Sequence, residues 1–529
     1  MGATLLKWQT RICAVLVGGI GLGLSSSEMP LWSGLAWISL IPLFYCIFAE
    51  RTNATSLHLH TAFGWGAITG LLLQFFPWAW MLDAAQSMSH AGRWGGVAFV
   101  GAFSLFGALC VGIFAVLATL FARYLAKRCT PGLQSFLFPW ITASLWVLID
   151  YATPFLVGAS GLPVFPSLGY SQWKNFALIQ IASITGVFGV SFLIVLINAS
   201  LAVALLTRNR RILLPALGLL MLVWTGGSIR VWMLDHDPHN LGAPIRIAVL
   251  QGDIPPFPKF ERQQGSFLAH RYLDLTKKAN ESRPNLVIWT ETAVPWALED
   301  GDDLVETALH ITEPSQACHI VGTLFRAPDA PTNTFHNTAF LVLPDGQVTS
   351  QYHKMRLIAM VEEAISLPGV SHPICALSGT NQSHLAPGPA LSLLNSPYGR
   401  IGLCICNENT YPDMTRKLIR NNADLLVTIG NDGWCKGTAG QIQHFSANPF
   451  RAVEAGRDLV VANNSGVSGI IDALGRVQTR SEIHQPTCLT GLIHRRNLIT
   501  FYARHGDLLM LLCSAICVIP IFIKNRKPS

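Results

Sequence analysis

Long apolar runs fill the first 230 residues, and short ones alternating with polar helical stretches fill residues 231–500. If about 20 apolar residues make one bilayer crossing, seven spans are predicted first: 12–27, 30–49, 61–82, 94–122, 136–152, 176–206 and 212–229. An eighth, 508–523, lies beyond the α/β region. The first run has Lys7 and Arg11 ahead of it and six further spans close behind, so it reads as a retained helix and not as a cleaved leader. From Ile245 to Ile499 the period changes. Ile245–Leu250, Asn285–Trp289, His319–Gly322, Ala339–Leu343, Ile401–Ile405, Asp424–Ile429, Leu459–Ala462 and Gly469–Ile471 read as strands. Phe267–Glu281, Met414–Asn421 and Gln443–Ala455 read as helices between them. Turn residues punctuate Pro331–Asn333 and Pro344–Gln347. The pattern predicts a polytopic helical bundle over 1–230, a layered sheet domain over 231–500, and a closing helix with a short basic tail over 501–529.

Charge sharpens this division. Residues 1–230 hold four acids (Glu28, Glu50, Asp83 and Asp150), and the other 26 of the 30 follow them. The net charge of +7 does not point to nucleic acid, because the basic residues of the first half flank apolar runs. One set of loops carries Lys7 and Arg11, Arg51, Arg123 to Arg128, Arg208 to Arg211, and Lys524 to Lys527, while the alternate short loops hold little beyond Arg93 and Lys174. That asymmetry puts both termini on the cytoplasmic side and the sheet domain outside, in a periplasm-like space. Asp150, near the outer end of the fifth span, reads as a hydrated interfacial acid. The twelve cysteines form no C-x-x-C pair, and Cys404-x-Cys406 has no second ligand pair beside it, so no metal is expected. Six of them (Cys318, Cys375, Cys404, Cys406, Cys435 and Cys488) lie in the sheet domain, where an oxidising compartment would permit a disulfide.

Three stretches carry candidate chemistry. In Arg400–Asp413 an alternating apolar strand runs into a turn at Cys406-Asn407-Glu408, a setting in which a thiol meets substrate and turn N–H groups face an oxyanion. Taken alone, Cys406 reads sooner as a small buried hydrophobe, which is what most free cysteines are. Leu286–Glu291 is an apolar strand ending on Glu291, a carboxylate that burial could tune into a base. Gln351–Lys354 brings a lysine beside a turn, with Glu362 eight residues later, and Lys354 could stabilise an oxyanion or simply pair with Glu291.

Taken together and in this order, Glu291, Lys354 and Cys406 resemble the Glu-Lys-Cys triad of the nitrilase, or carbon-nitrogen hydrolase, superfamily. The resemblance continues through Asn431–Trp434, Gln443–Phe445, Arg451–Glu454 and Asn463–Ser468. On a membrane bundle that carries Phe165–Gln172 and Thr185–Phe192, the whole chain resembles the apolipoprotein N-acyltransferase family. That resemblance implies an αββα sandwich and acyl transfer in two steps, with neither metal nor organic cofactor. A phospholipid, typically phosphatidylethanolamine through its sn-1 chain, would acylate Cys406, and the amine of a diacylglyceryl apolipoprotein cysteine would discharge the thioester. It further implies Glu291 as base, Lys354 and the Asn407 N–H at the oxyanion, Glu362 supporting Lys354, Glu408 bracing the turn, and Phe260, His353, Trp434 and His444 near substrate. The implied location is the bacterial inner membrane, multi-pass, with a periplasmic catalytic domain. A membrane-tethered amidase or nitrilase using water as acceptor is the alternative.

Several positions depart from the family pattern. Thr290 stands where a proline is usual, Asn407 where an aromatic residue is, Phe260 where a tryptophan is, and Ala359–Val361 where Pro-Phe-Gly is; His353 is also unusual. An acyl donor confined to the bilayer further suggests that Met355–Val361 and Leu367–Leu377 form an apolar lid dipping toward lipid.

Overall fold

The computed structural model describes residues 2–26, 32–49, 59–88, 92–158, 167–237, 241–255, 262–297, 302–328, 334–358, 362, 384–435 and 438–522. Among these, ten α-helices precede the first strand: α1 (Gly2–Leu24), α2 (Ile41–Ala49), α3 (Leu59–Trp78), α4 (Met81–Met88), α5 (Gly92–Arg128), α6 (Pro131–Gly158), α7 (Phe176–Ile179), α8 (Ala182–Thr185), α9 (Phe188–Thr207) and α10 (Leu213–Asp235). By length and apolarity, Trp32–Ala49, Arg93–Arg128, Pro131–Thr153, Phe188–Thr207 and Arg210–Asp235 can each cross a bilayer, while Trp8–Leu24, Phe176–Thr185 and Leu508–Phe522 are shorter apolar helices. Helix α9 has no charged side chain and is buried along most of its length at the centre of the bundle. Helix α10 is apolar as well, yet it leaves Leu214, Met221, Leu222 and Trp232 more than half exposed, as a helix facing hydrocarbon does.

Two predicted spans are broken. The run 61–82 divides into α3 and α4, and the run 176–206 divides into α7, α8 and α9. Gly186 makes the second break at φ +66°, and a Cβ there would lie 2.8 Å from the Tyr502 ring, so the chain turns where only glycine fits. Asp150, expected as a hydrated interfacial acid, is partly exposed and is bonded to two serines. Its carboxylate turns inward, accepting hydrogen bonds from Ser167 at 2.6 Å and Ser191 at 3.4 Å.

The second half is a sandwich of two sheets. Strands β1 (Pro244–Gln251), β2 (Leu286–Ile288), β3 (Val294–Ala297), β4 (Cys318–Arg326), β5 (Thr334–Val342), β6 (Val348–His353) and β7 (His384–Leu385) come first. They are followed by β8 (Leu394–Ser396), β9 (Gly399–Ile405), β10 (Leu425–Gly430), β11 (Leu459–Asn463), β12 (Gly469–Ile471), β13 (Val477–Arg480) and β14 (Thr487–His494). One sheet runs β14-β1-β2-β4-β5-β6, with β3 on β4 and β7 on β5; the other runs β13-β12-β11-β10-β9-β8. Pairs β1–β2, β2–β4, β9–β10 and β10–β11 are parallel.

Strand alternation sets the layers. Ile247, Val249 and Ile288 meet Leu403, Ile405 and Val427 between the sheets. On the outer face of the first sheet, Ala248, Leu250 and Val287 pack under α11 (Arg262–Glu281) and α12 (Asp303–Thr312). On the outer face of the second, Cys404, Leu426 and Val461 pack under α13 (Pro412–Arg420) and α14 (Thr438–Ala455). That last layer continues into the membrane bundle, because Phe450 and Val453 share one buried cluster with Ile179, Val187 and Val190. Two short helices, α15 (Phe501–His505) and α16 (Leu508–Val518), lead the chain back along α6.

Polar contacts cross the same boundary. Arg451 donates to the Tyr170 hydroxyl at 3.1 Å and pairs with Glu454, which accepts the Val187 N–H at 2.8 Å. Arg416 pairs with Asp507 at 2.6 Å.

Candidate active site

The three candidate residues each follow a strand at one end of the sandwich. Glu291 lies just beyond β2, Lys354 directly after β6, and Cys406 directly after β9. Along β9 the odd positions Ile401, Leu403 and Ile405 face the other sheet, while Cys404 faces the helices. Alternation would send Cys406 to the helix side too. Its φ of +55° reverses that direction, and its side chain joins the inter-sheet cluster instead. Glu291 is reached through a similar constraint. Gly322 on β4 lies so close that a Cβ there would meet the Thr290 carbonyl oxygen at 2.2 Å.

All three groups are buried. The Lys354 Nζ donates to Glu362 Oε1 at 2.7 Å and to Glu291 Oε1 at 3.4 Å. Asn337 on β5 donates its Nδ2 to the same Glu291 oxygen at 2.7 Å. Burial, reinforced by the Glu362 charge, raises the Glu291 pKa above the usual carboxylate range, although Lys354 and Asn337 pull it down. Burial disfavours the Lys354 charge, but the two carboxylates outweigh it and keep the ammonium protonated. Burial and the Glu291 charge push the Cys406 thiol well above its ordinary value, against the pull of Lys354. The resting sulfur is therefore a thiol, with a carboxylate and an ammonium within electrostatic reach.

Glu408 fastens the nucleophile turn to the strand that delivers the lysine. Its Oε2 accepts from the Ile405 N–H and the Tyr352 hydroxyl, both at 2.8 Å, and its Oε1 accepts from the N–H groups of Met355 at 2.7 Å and Arg356 at 3.1 Å. One buried carboxylate thus holds both sides of the site. Asn407, the next residue after the sulfur, is buried, and among the described residues neither end of its amide has a hydrogen-bond partner.

The remaining predicted positions divide. His444 on α14 binds Asp432 at 3.0 Å through Nδ1; burial opposes its charge, but Asp432 and the nearby Cys406 backbone raise its pKa. Trp434 packs on Trp80 of the bundle, ring centroids 5.4 Å apart. His353 faces away from Lys354, bonded to Thr338 at 2.8 Å and packed on His336, and burial lowers its pKa to about 4. Phe260, Ala359–Val361 and the segment 367–377 lie outside the described residues. For the part of the supposed lid that is described, Leu357 is buried and Ile358 packs against the inter-sheet core, so these two side chains are committed to the protein and not to lipid. Thr290, the departure before Glu291, shares a 2.6 Å hydrogen bond with the buried Tyr272 hydroxyl. The eleven described cysteines are free thiols.

Sequence reasoning missed Asn337. Its signal is weak, an amide in the polar first half of a strand, Thr334–Val342, whose last four residues are apolar; a polar group facing the interior there needs a partner.

Comparison with known proteins bears on both halves. Residues 18–200 match the apolipoprotein N-acyltransferase N-terminal domain, and residues 246–499 match carbon-nitrogen hydrolase. A protein of Geobacter metallireducens named apolipoprotein N-acyltransferase is 30% identical over 526 residues, covering 97% of this chain and 95% of that protein. The chain belongs to the apolipoprotein N-acyltransferase family. Another relative with that name, from Azotobacter vinelandii, is 29% identical over 507 residues, covering 94% of this chain and 92% of its own. A nitrilase-superfamily structure from Saccharomyces cerevisiae aligns at 15% identity with a TM-score of 0.37, covering 48% of this chain and 91% of that one. Membership makes the chain an acyltransferase and a membrane protein with a nitrilase-like catalytic domain.

Proposed function

We propose that the enzyme moves a fatty acyl chain, the sn-1 chain of phosphatidylethanolamine, by way of Cys406 to the α-amine of a diacylglyceryl-cysteine apolipoprotein. The observation that carries this reading is the convergence of Glu291, Lys354 and Cys406 at one end of a sandwich whose outer layer shares its core with a membrane bundle. A soluble amidase needs no such bundle, which favours acyl transfer between lipids over hydrolysis. Glu291 takes the thiol proton as the sulfur attacks the ester carbonyl, and Lys354 and the Asn407 N–H receive the oxyanion. Collapse expels the lysophospholipid alkoxide, which takes the proton from Glu291. The incoming amine then attacks the thioester and gives its proton to Glu291, and the sulfur leaves and is reprotonated. Glu362 holds Lys354, Glu408 holds the turn, and the three reacting groups titrate as one coupled set.

In this reading residues 1–230 form the membrane domain with seven spans, 231–500 the catalytic domain, and 501–529 the closing span and tail. The protein sits in the bacterial inner membrane with the catalytic domain periplasmic and both termini cytoplasmic, supported by the asymmetry of basic loops. Phe260, Trp434 and His444 border the substrates in this reading, while His353, turned toward Thr338 and His336, does not support such a role. Mass spectrometry of the purified protein with phospholipid tests the proposal. A fatty-acyl adduct is expected on Cys406, discharged by a lipopeptide amine, absent in Cys406→Ala and retained in Cys404→Ala. An adduct elsewhere, or turnover by Cys406→Ala, overturns it.

A further inference from the structure

A cavity lies in the bundle, between α3, α5 and α6, with Leu168 also in its lining. It measures about 60 Å³. At roughly 10–15 Å³ per water position, that is room for a head group of a few heavy atoms and not for an acyl chain. Leu73, Phe106 and Val111 supply apolar wall; Gln74, Cys110 and Asp150 supply polar groups. Among the described residues Asp150 is the one charged side chain in this lining. Its carboxylate is held by the hydroxyls of Ser167 and Ser191, which themselves lie 2.8 Å apart. Among the described residues no cationic side chain pairs with it.

A carboxylate inside a membrane bundle is expensive unless something of opposite charge or a proton joins it. The cavity is too sparse in oxygens for a divalent cation, which takes six or more. A primary ammonium suits it, having one charge and three donors. The turn that lines the cavity is also tied to the catalytic domain. Leu168 begins the turn Leu168–Gln172, whose Tyr170 hydroxyl donates to the carbonyl of Thr410, four residues beyond Cys406, at 3.4 Å.

We propose that this cavity binds the primary ammonium group of an amphiphile, with Asp150 as its counter-ion and Ser167 and Ser191 fixing the carboxylate. The proposal rests on the acyl-transfer reading only for its two candidate sources, the ethanolamine head of the donor and the α-amine of the acceptor. Both present the same chemistry.

Cys110 supplies a readout independent of catalysis. The full chain in phosphatidylcholine nanodiscs is treated with a small maleimide, and modification of Cys110 is followed by peptide mass spectrometry. Octadecylamine should slow it about tenfold and octadecanol should not, since a charge-assisted hydrogen bond separates the two probes. Asp150→Asn should abolish the difference, while Asp150→Glu should retain part of it and so guard against a folding defect. Equal effects of amine and alcohol, or amine protection that survives Asp150→Asn, overturn the proposal. Phosphatidylethanolamine and a diacylglyceryl lipopeptide, each against its N-acetylated form, then assign the source; protection by neither overturns it as well. Cys406→Ala should leave the protection intact, so a failure of the thioester reading and a failure of this site give different results.

Discussion

Cys406 owes its position to one backbone angle. An L-residue at positive φ costs on the order of 1 kcal/mol or more, so the turn must be over-determined by its surroundings, and Glu408 does this with four accepted hydrogen bonds. Asn337 works on the base instead of the nucleophile. Its N–H favours the ionised form of Glu291 and so lowers a pKa that burial has raised. Removing it should raise that pKa further. Asn337→Ala should therefore move the acid limb of the Cys406 acylation rate to higher pH, by roughly half a unit to one unit. Single-turnover acylation measured from pH 5 to 9 checks this; a rate scaled down uniformly with an unmoved limb would make Asn337 merely structural. The triad itself was legible because Glu291 and Cys406 end apolar runs, Lys354 lies beside a turn, and their order in the chain resembles a known pattern. Asn337 was not, because an amide in mid-strand says nothing about which neighbour it meets until β4 and β5 are paired.

At the scale of elements, the strands that sequence reasoning found are buried on both faces, such as β10, buried at every position. Those it missed lie at sheet edges or are short. Strand β6, Val348–His353, is an edge strand mostly open to water, and β14 alternates weakly at the other edge of the same sheet. Helix α14 was legible, but the role of its last turn was not. Glu454 is buried there between Arg451 and the Val187 N–H, and burial raises its pKa to about 7 despite the arginine. A carboxyl group whose folded pKa is raised stabilises the fold fully below its unfolded value, and that contribution is lost as pH rises through about 7. Glu454→Gln mimics the protonated form and cannot lose it. The wild-type apparent Tm should thus fall relative to Glu454→Gln as pH increases from 5 to 8. Thermal melts in detergent at several pH values measure the gap, and a gap independent of pH would mean that Arg451 keeps the group ionised throughout.

For the whole molecule, the change from long to short apolar runs says nothing of how closely the bundle and the sandwich are packed together. Helices α13 and α14 bury Met414, Leu418, Phe445 and Phe450 in the same cluster as Val190 and Leu193 of α9. Periodicity reports that a helix has an apolar face and is silent about what covers it. This packing explains why Arg451 can be buried almost completely: the bundle supplies Tyr170 above it and Glu454 lies beside it. It also makes the catalytic half dependent on the membrane half. Residues 241–500 expressed alone would expose the layer under Tyr170, Ile179 and Val187, together with the arginine–glutamate pair, to water. An apolar patch of that kind drives association. The fragment is expected to self-associate or aggregate in detergent-free buffer and to become monodisperse when detergent is added, as read by size-exclusion chromatography with light scattering. A well-behaved monomer without detergent, melting at the temperature of the full chain, would show that the shared core contributes little and that the two halves are joined by the chain alone.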